Sequence, residues 1–167
     1  MKRAVLVVVV AVLAIGVWQF EPWRLFTSSE IDEAVPTAHP TGNATAVPSA
    51  AATPTTLSTG DFVDAEHDTS GTARIIELAD GRRFLRLEGL ASSDGPDLHV
   101  WLSDRKPGGS WFKYDDGEYL RLGELKATHG NQNYPIPEGA DLAAYRSAVI
   151  WCDKFNVAFG AAPVSLA

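Results

Sequence analysis

From Gly60 onward the chain is cut by turn-forming residues into short stretches of alternating polarity, and that rhythm restricts the segment to a sheet protein. Thr72 to Leu78 and Arg83 to Leu90 flank Ala79-Asp80-Gly81, whose Asp-Gly pair is a strong hairpin signal. In Leu98 to Ser103 the residues Leu98, Val100 and Leu102 fall on one face and Asp97, His99 and Trp101 on the other, so the first face is predicted to line the core. Asp61 to Asp64, Tyr119 to Leu125, Asn131 to Ile136, Ser147 to Cys152 and Phe155 to Ala161 complete the set. The last two read as a hairpin around Asp153-Lys154, with Phe155, Val157 and Phe159 on one side, and Leu142 to Tyr145 reads as one helical turn. About eight short strands predict an all-β domain, an antiparallel sandwich or barrel spanning residues 60–167. With a single cysteine the domain has no internal disulfide, so its core must hold it together alone.

Two different segments precede this domain. Lys2 and Arg3 stand before an uncharged run from Ala4 to Phe20, with Trp18 and Trp23 near its far end, where amphipathic rings favour a bilayer interface. At ~1.5 Å per residue the run gives roughly 26 Å, just under a hydrocarbon thickness of about 30 Å. No small-residue cleavage site follows it in a polar context, so residues 1–23 are predicted to be an uncleaved transmembrane helix, a signal-anchor. The basic flank stays inside, which makes the protein a single-pass one of the cell membrane with its C-terminal domain extracytoplasmic. Residues 24–59 are predicted to be a disordered linker: Ala34 to Thr59 carries no charge and consists largely of Ala, Thr, Ser and Pro. Such a segment reaches ~80 Å if polyproline-like and roughly 30 Å as a coil. Asn43-Ala44-Thr45 fits a glycosylation sequon, and a bare spacer is the plainer reading.

The net charge of −7 argues against nucleic acid, which needs a basic face. No Gly-x-Ser-x-Gly, His-Glu-x-x-His or phosphate-cradling loop is present, so no enzymatic reaction is assigned. Asp115-Asp116 sits in a glycine-flanked loop and reads as solvated turn. Local hydrogen bonding is the plainer account of His67 and His129, and an ordinary exposed strand face that of His99 with Asp97 and Trp101. No metal ligand is assigned. Trp101, Trp111, Phe112, Tyr114 and Tyr119 either line a groove or complete a core.

The residue with chemistry to offer is Cys152, which closes an apolar run after Trp151. Burial as a small hydrophobe is its bland reading. Against that, an unpaired thiol outside the cell is open to oxidation, a liability serine or alanine would avoid. Lys154 would lower its pKa and Asp153 oppose that.

Taken in order, Gly60-Asp-Phe62, His67-Asp-Thr-Ser-Gly71, Gly95-Pro-Asp-Leu-His-Val-Trp-Leu-Ser103, Leu122-Gly-Glu-Leu-Lys126, Gly130-Asn-Gln-Asn-Tyr-Pro-Ile-Pro137 and Trp151-Cys-x-x-Phe-x-Val-x-Phe159 resemble the DM-thirteen domain. The resemblance covers residues 60–166. It implies a secreted or membrane-linked module proposed to take part in electron transfer, with Cys152 in the place of the family's cysteine, as a free thiol or as holder of a prosthetic group such as haem. No Cys-x-x-Cys-His string exists for covalent haem, and no His or Met follows Cys152 to complete a blue-copper loop. Noncovalent haem on the Cys152 thiolate is compatible with the sequence. Two readings follow: a redox module that exchanges electrons with a partner through Cys152, or a noncatalytic sandwich that binds a cell-envelope polymer or protein. Gly95, Pro96, Asp97, Gly130 and Tyr134 are read as framework.

Overall fold

The computed structural model describes residues 2–20, 27–38 and 53–166. Trp23, His39 and the Asn43–Thr45 sequon lie outside the described residues. The N-terminal apolar run forms α1, Lys2–Phe20. Among the described residues no helix is long and apolar enough to cross a membrane. The expected spanning helix is therefore not supported by the fold.

Among the described residues ten strands follow, in two sheets. They are β1 (Glu30–Asp32), β2 (Thr55–Asp61), β3 (Val63–Asp64), β4 (Ser70–Glu77), β5 (Arg83–Ala91), β6 (Leu98–Ser103), β7 (Tyr119–Glu124), β8 (His129–Ile136), β9 (Ser147–Cys152) and β10 (Val157–Pro163). One sheet runs β1-β8-β5-β4-β2 and the other β3-β10-β9-β6-β7. The arrangement is sandwich-like rather than a barrel. Every pair is antiparallel except β1 with β8, which run parallel.

The β4–β5 hairpin turns at Asp80-Gly81, where Gly81 takes the positive φ of 83° that the Asp-Gly signal predicts. Its inward residues Ala73, Ile75, Leu85 and Leu87 meet Leu98, Val100, Leu102, Ala148, Ile150, Cys152, Val157 and Phe159 from the second sheet. Each large aliphatic side chain so buried contributes about 1.5–3 kcal/mol by leaving water. The alternation in Leu98 to Leu102 thus points its apolar face inward, as the pattern predicts.

The opposite face of the second sheet is covered as well. Trp101, Val149, Trp151, Ala158 and Ala161 form a second cluster with Tyr114, which the 3-10 turn Lys113–Asp115 lays against them. A backbone hydrogen bond from the Ala158 N–H to the Trp111 carbonyl pins that loop down. Trp101 is therefore buried and not on an exposed strand face, because the loop after β6 folds back over it. Phe155 also departs from expectation. It lies in the turn before β10 and is exposed, while Val157 and Phe159 enter the main core.

Parts of the segment expected to be a free linker are docked. Thr55 to Asp61 pairs with β4, and Glu30 to Asp32 pairs with His129 to Asn131. These pieces carry little apolar surface, so their attachment comes from backbone ladders and polar side chains. Gly130 has φ of 99°, and a Cβ there would collide with the carbonyl oxygen of Ile31. Glycine at this position is what lets β1 approach.

Candidate functional site

Cys152 ends β9, an inner strand whose neighbours are β10 and β6. Side chains alternate along it, so Ala148, Ile150 and Cys152 face the space between the sheets, and Val149 and Trp151 face the outer cluster. Directly opposite Cys152 stand Leu98 on β6 and Val157 on β10. Its relative exposure is 0%. Burial pushes the thiol pKa up, the nearby Asp97 carboxylate adds to that, and backbone N–H groups of Phe155, Lys154 and Asp97 pull it back without prevailing. The sulfur is thus a protonated thiol at neutral pH, shielded by the turn from Asp153 to Asn156. Lys154 acts on it through its backbone N–H, where the sequence suggested its ammonium. Asn156 turns the chain with φ of 55°, a left-handed conformation that asparagine tolerates, and its Nδ2 donates to Asp115 Oδ2 at 2.9 Å.

Above the same end of the sheet sits a polar group. His99 Nε2 lies 2.8 Å from Asp97 Oδ1 and 3.4 Å from Asp153 Oδ2. Arg121 on β7 closes on Asp153 with both terminal guanidinium nitrogens, at 2.5 and 3.1 Å. The backbone holds these side chains in place: the Asp153 N–H donates to the Asp97 carbonyl at 2.9 Å, and the Leu125 N–H donates to the Leu98 carbonyl at 2.8 Å. The Arg121 guanidinium also lies over the ring of Trp101, 4.7 Å from its centroid. Trp101 stacks on Tyr119 at 4.3 Å and on Trp151 at 4.8 Å.

The sequence pattern found Asp97 and His99 on one face but had no means of joining Asp153 or Arg121 to them. His67 and His129 are not part of this group. His129 Nδ1 lies 2.9 Å from Thr128 Oγ1, and the His67 ring packs against Phe159 at 4.0 Å.

Residues 61–164 match the family model described as Electron transfer DM13. The chain belongs to that family. Membership implies an electron-transfer role for the DM13 domain. No curated protein and no solved structure matches the chain. Within the DM13 domain, the surroundings of Cys152 do not fit a haem. An iron bound to the thiolate needs an open face at the sulfur, and here Leu98, Val157 and the rest of the main core close around it. The match also leaves β1 outside the family segment, although β1 extends the same sheet.

Proposed function

We propose that this chain is a membrane-tethered electron-transfer module with its DM13 domain on the outer side of the membrane and Cys152 as its redox sulfur. The observation that carries the reading is the family match over residues 61–164. Tethering is supported by the uncharged run Ala4 to Phe20 behind Lys2 and Arg3. A hydrophobic stretch slightly shorter than the bilayer is accommodated by local thinning or by snorkelling of its flanking residues.

Support for Cys152 comes from its place. It sits at a strand end under a four-residue turn, with backbone N–H groups from both sides directed at the sulfur. Of these the Asp97 N–H lies outside the turn, so it would still face the sulfur and stabilise a thiolate once the turn lifts and water enters. In the open form the thiolate attacks a disulfide sulfur of a partner protein. A mixed disulfide forms, the partner's other sulfur leaves with the electron pair, and the thiol proton passes to solvent.

The 0% exposure of Cys152 favours a second reading, a noncatalytic sandwich that binds a cell-envelope polymer or protein. Trp111 and Phe112, 43% and 56% exposed in the loop after β6, would then supply contact surface.

Thiol labelling separates the two. The native full-length chain is treated with a disulfide reagent, and the rate is compared with the rate in denaturant. Slow but complete native labelling, together with loss of electron exchange in a Cys152→Ser variant that remains folded at the assay temperature, supports the redox reading. A sulfur that reacts only after global unfolding, in a protein whose Cys152→Ser variant keeps its cellular role, leaves the binding reading.

A further inference from the structure

Asp97, His99 and Asp153 come from a strand's leading edge, the strand itself and a turn 54 positions later, yet each offers one ligand atom and the three atoms lie within 4.8 Å of one another. We infer that Asp97, His99 and Asp153 form a binding site for a divalent first-row transition ion. One imidazole nitrogen with two carboxylates is a donor set that suits zinc, copper, iron or manganese. The imidazole sets this group apart from an ordinary acidic patch, because nitrogen is a poor ligand for calcium and magnesium.

Arg121 does not occupy the site. Its N–H groups reach both Asp153 oxygens, Oδ2 at 2.5 Å and Oδ1 at 3.1 Å, and because a carboxylate has about four lone-pair sites, the Oδ2 that faces His99 keeps one for a metal. A hydrogen-bonded ligand carboxylate of this kind is the usual outer layer of a metal centre. The strands fix the geometry beforehand through the Asp153-to-Asp97 backbone bond, so little ordering remains to be done on binding. A cleft of about 480 Å³ opens beside Asp97, bordered also by Gly95, Leu98, Glu124 and Lys126. The inference stands independently of any electron passing through Cys152.

The test uses the full-length chain stripped with a chelator, titrated with zinc by calorimetry and with copper(II) by electron paramagnetic resonance. The expected result is one saturable zinc equivalent and a copper spectrum split by a single nitrogen. His99→Gln should weaken zinc by more than roughly 100-fold, beyond what loss of an outer hydrogen-bond partner costs. Asp97→Asn reads the same effect at a second, exposed position, with folding of both variants checked by circular dichroism. The absence of saturable binding, or zinc binding in folded His99→Gln equal to that of the parent, overturns the site.

Discussion

Glu33 grips Lys126 through both carboxylate oxygens, 2.7 and 2.9 Å from Nζ, and one of those oxygens also accepts the Asn133 N–H at 2.7 Å. Burial raises the Glu33 pKa, but Lys126 and Asn133 outweigh it and hold the carboxyl below its ordinary value. A depressed acid contributes stability above its unfolded pKa of about 4.3 and loses it as pH falls through the folded value. Hydrogen exchange at residues 29–33 should therefore quicken in acid before β5 or β9 does. Glu33→Gln should bring that fast exchange to neutral pH at a global cost of about 1 kcal/mol or less, since the pair is partly exposed.

Gly130→Ala is expected to undock β1. The left-handed backbone costs about 1–2 kcal/mol for a residue with a Cβ, and the Ile31 carbonyl stands where that carbon would go. Amides of Ile31 and Asp32 should lose protection while the melting temperature falls by only a few degrees. A variant that keeps β1 protected would contradict this account of the pairing.

The alkaline limb of stability should be governed by Cys152 and Tyr134. Burial raises both pKa values. A raised acid pKa means the folded chain keeps its proton longer than the unfolded one, so this stabilising term is complete below the unfolded value and fades as pH rises through the folded one. For the thiol the decline begins near the ordinary value of about 8.5. Denaturant titrations of Cys152→Ala from pH 7 to 10 should show a flatter loss than the parent, with about 1 kcal/mol less stability at neutral pH from the small cavity.

Tyr134→Phe removes a hydroxyl that donates to Gln132 Oε1 at 2.7 Å and accepts the Lys126 N–H at 3.1 Å. Gln132 in turn accepts the Ala127 N–H and donates to the Ala127 carbonyl, at 3.3 and 2.6 Å. The variant should lose about 1–3 kcal/mol, because a buried amide and a backbone N–H are left underused. Chemical denaturation measures it directly.

How much of this could be read from residues alone depended on what fixes each element. The strands β4, β5, β6 and β9 were legible because large apolar residues alternate there or run together, and Asp80-Gly81 marks a turn. β1 and the first part of β2 were not, since Glu30-Ile-Asp32 and Thr55-Thr-Leu-Ser-Thr59 dock through backbone ladders that leave no hydrophobic pattern. The alternation puts Trp101 on the outer face, but its burial depends on a loop that sequence periodicity does not describe. Cys152 stood out as the single thiol, whereas its burial follows from the pairing of β9 with β6 and β10. The Asp97, His99 and Asp153 group arises from that same pairing, which sets the β9–β10 turn beside the start of β6.

The early attachment of β1 bears on how far the domain can stray from the end of α1. With Thr27 hydrogen-bonded to Asp94 and Ser29 to Thr128, residues 21–26 are all that separate the end of α1 from the docked chain in sequence, and the long proline-bearing stretch lies beyond them. Six residues span at most about 22 Å. The stretch from Ala34 to Thr55 instead begins and ends on one sheet, as a closed excursion from edge to edge. If α1 lies in a bilayer, the module works close to the lipid headgroups on a short leash, and any partner must meet it there.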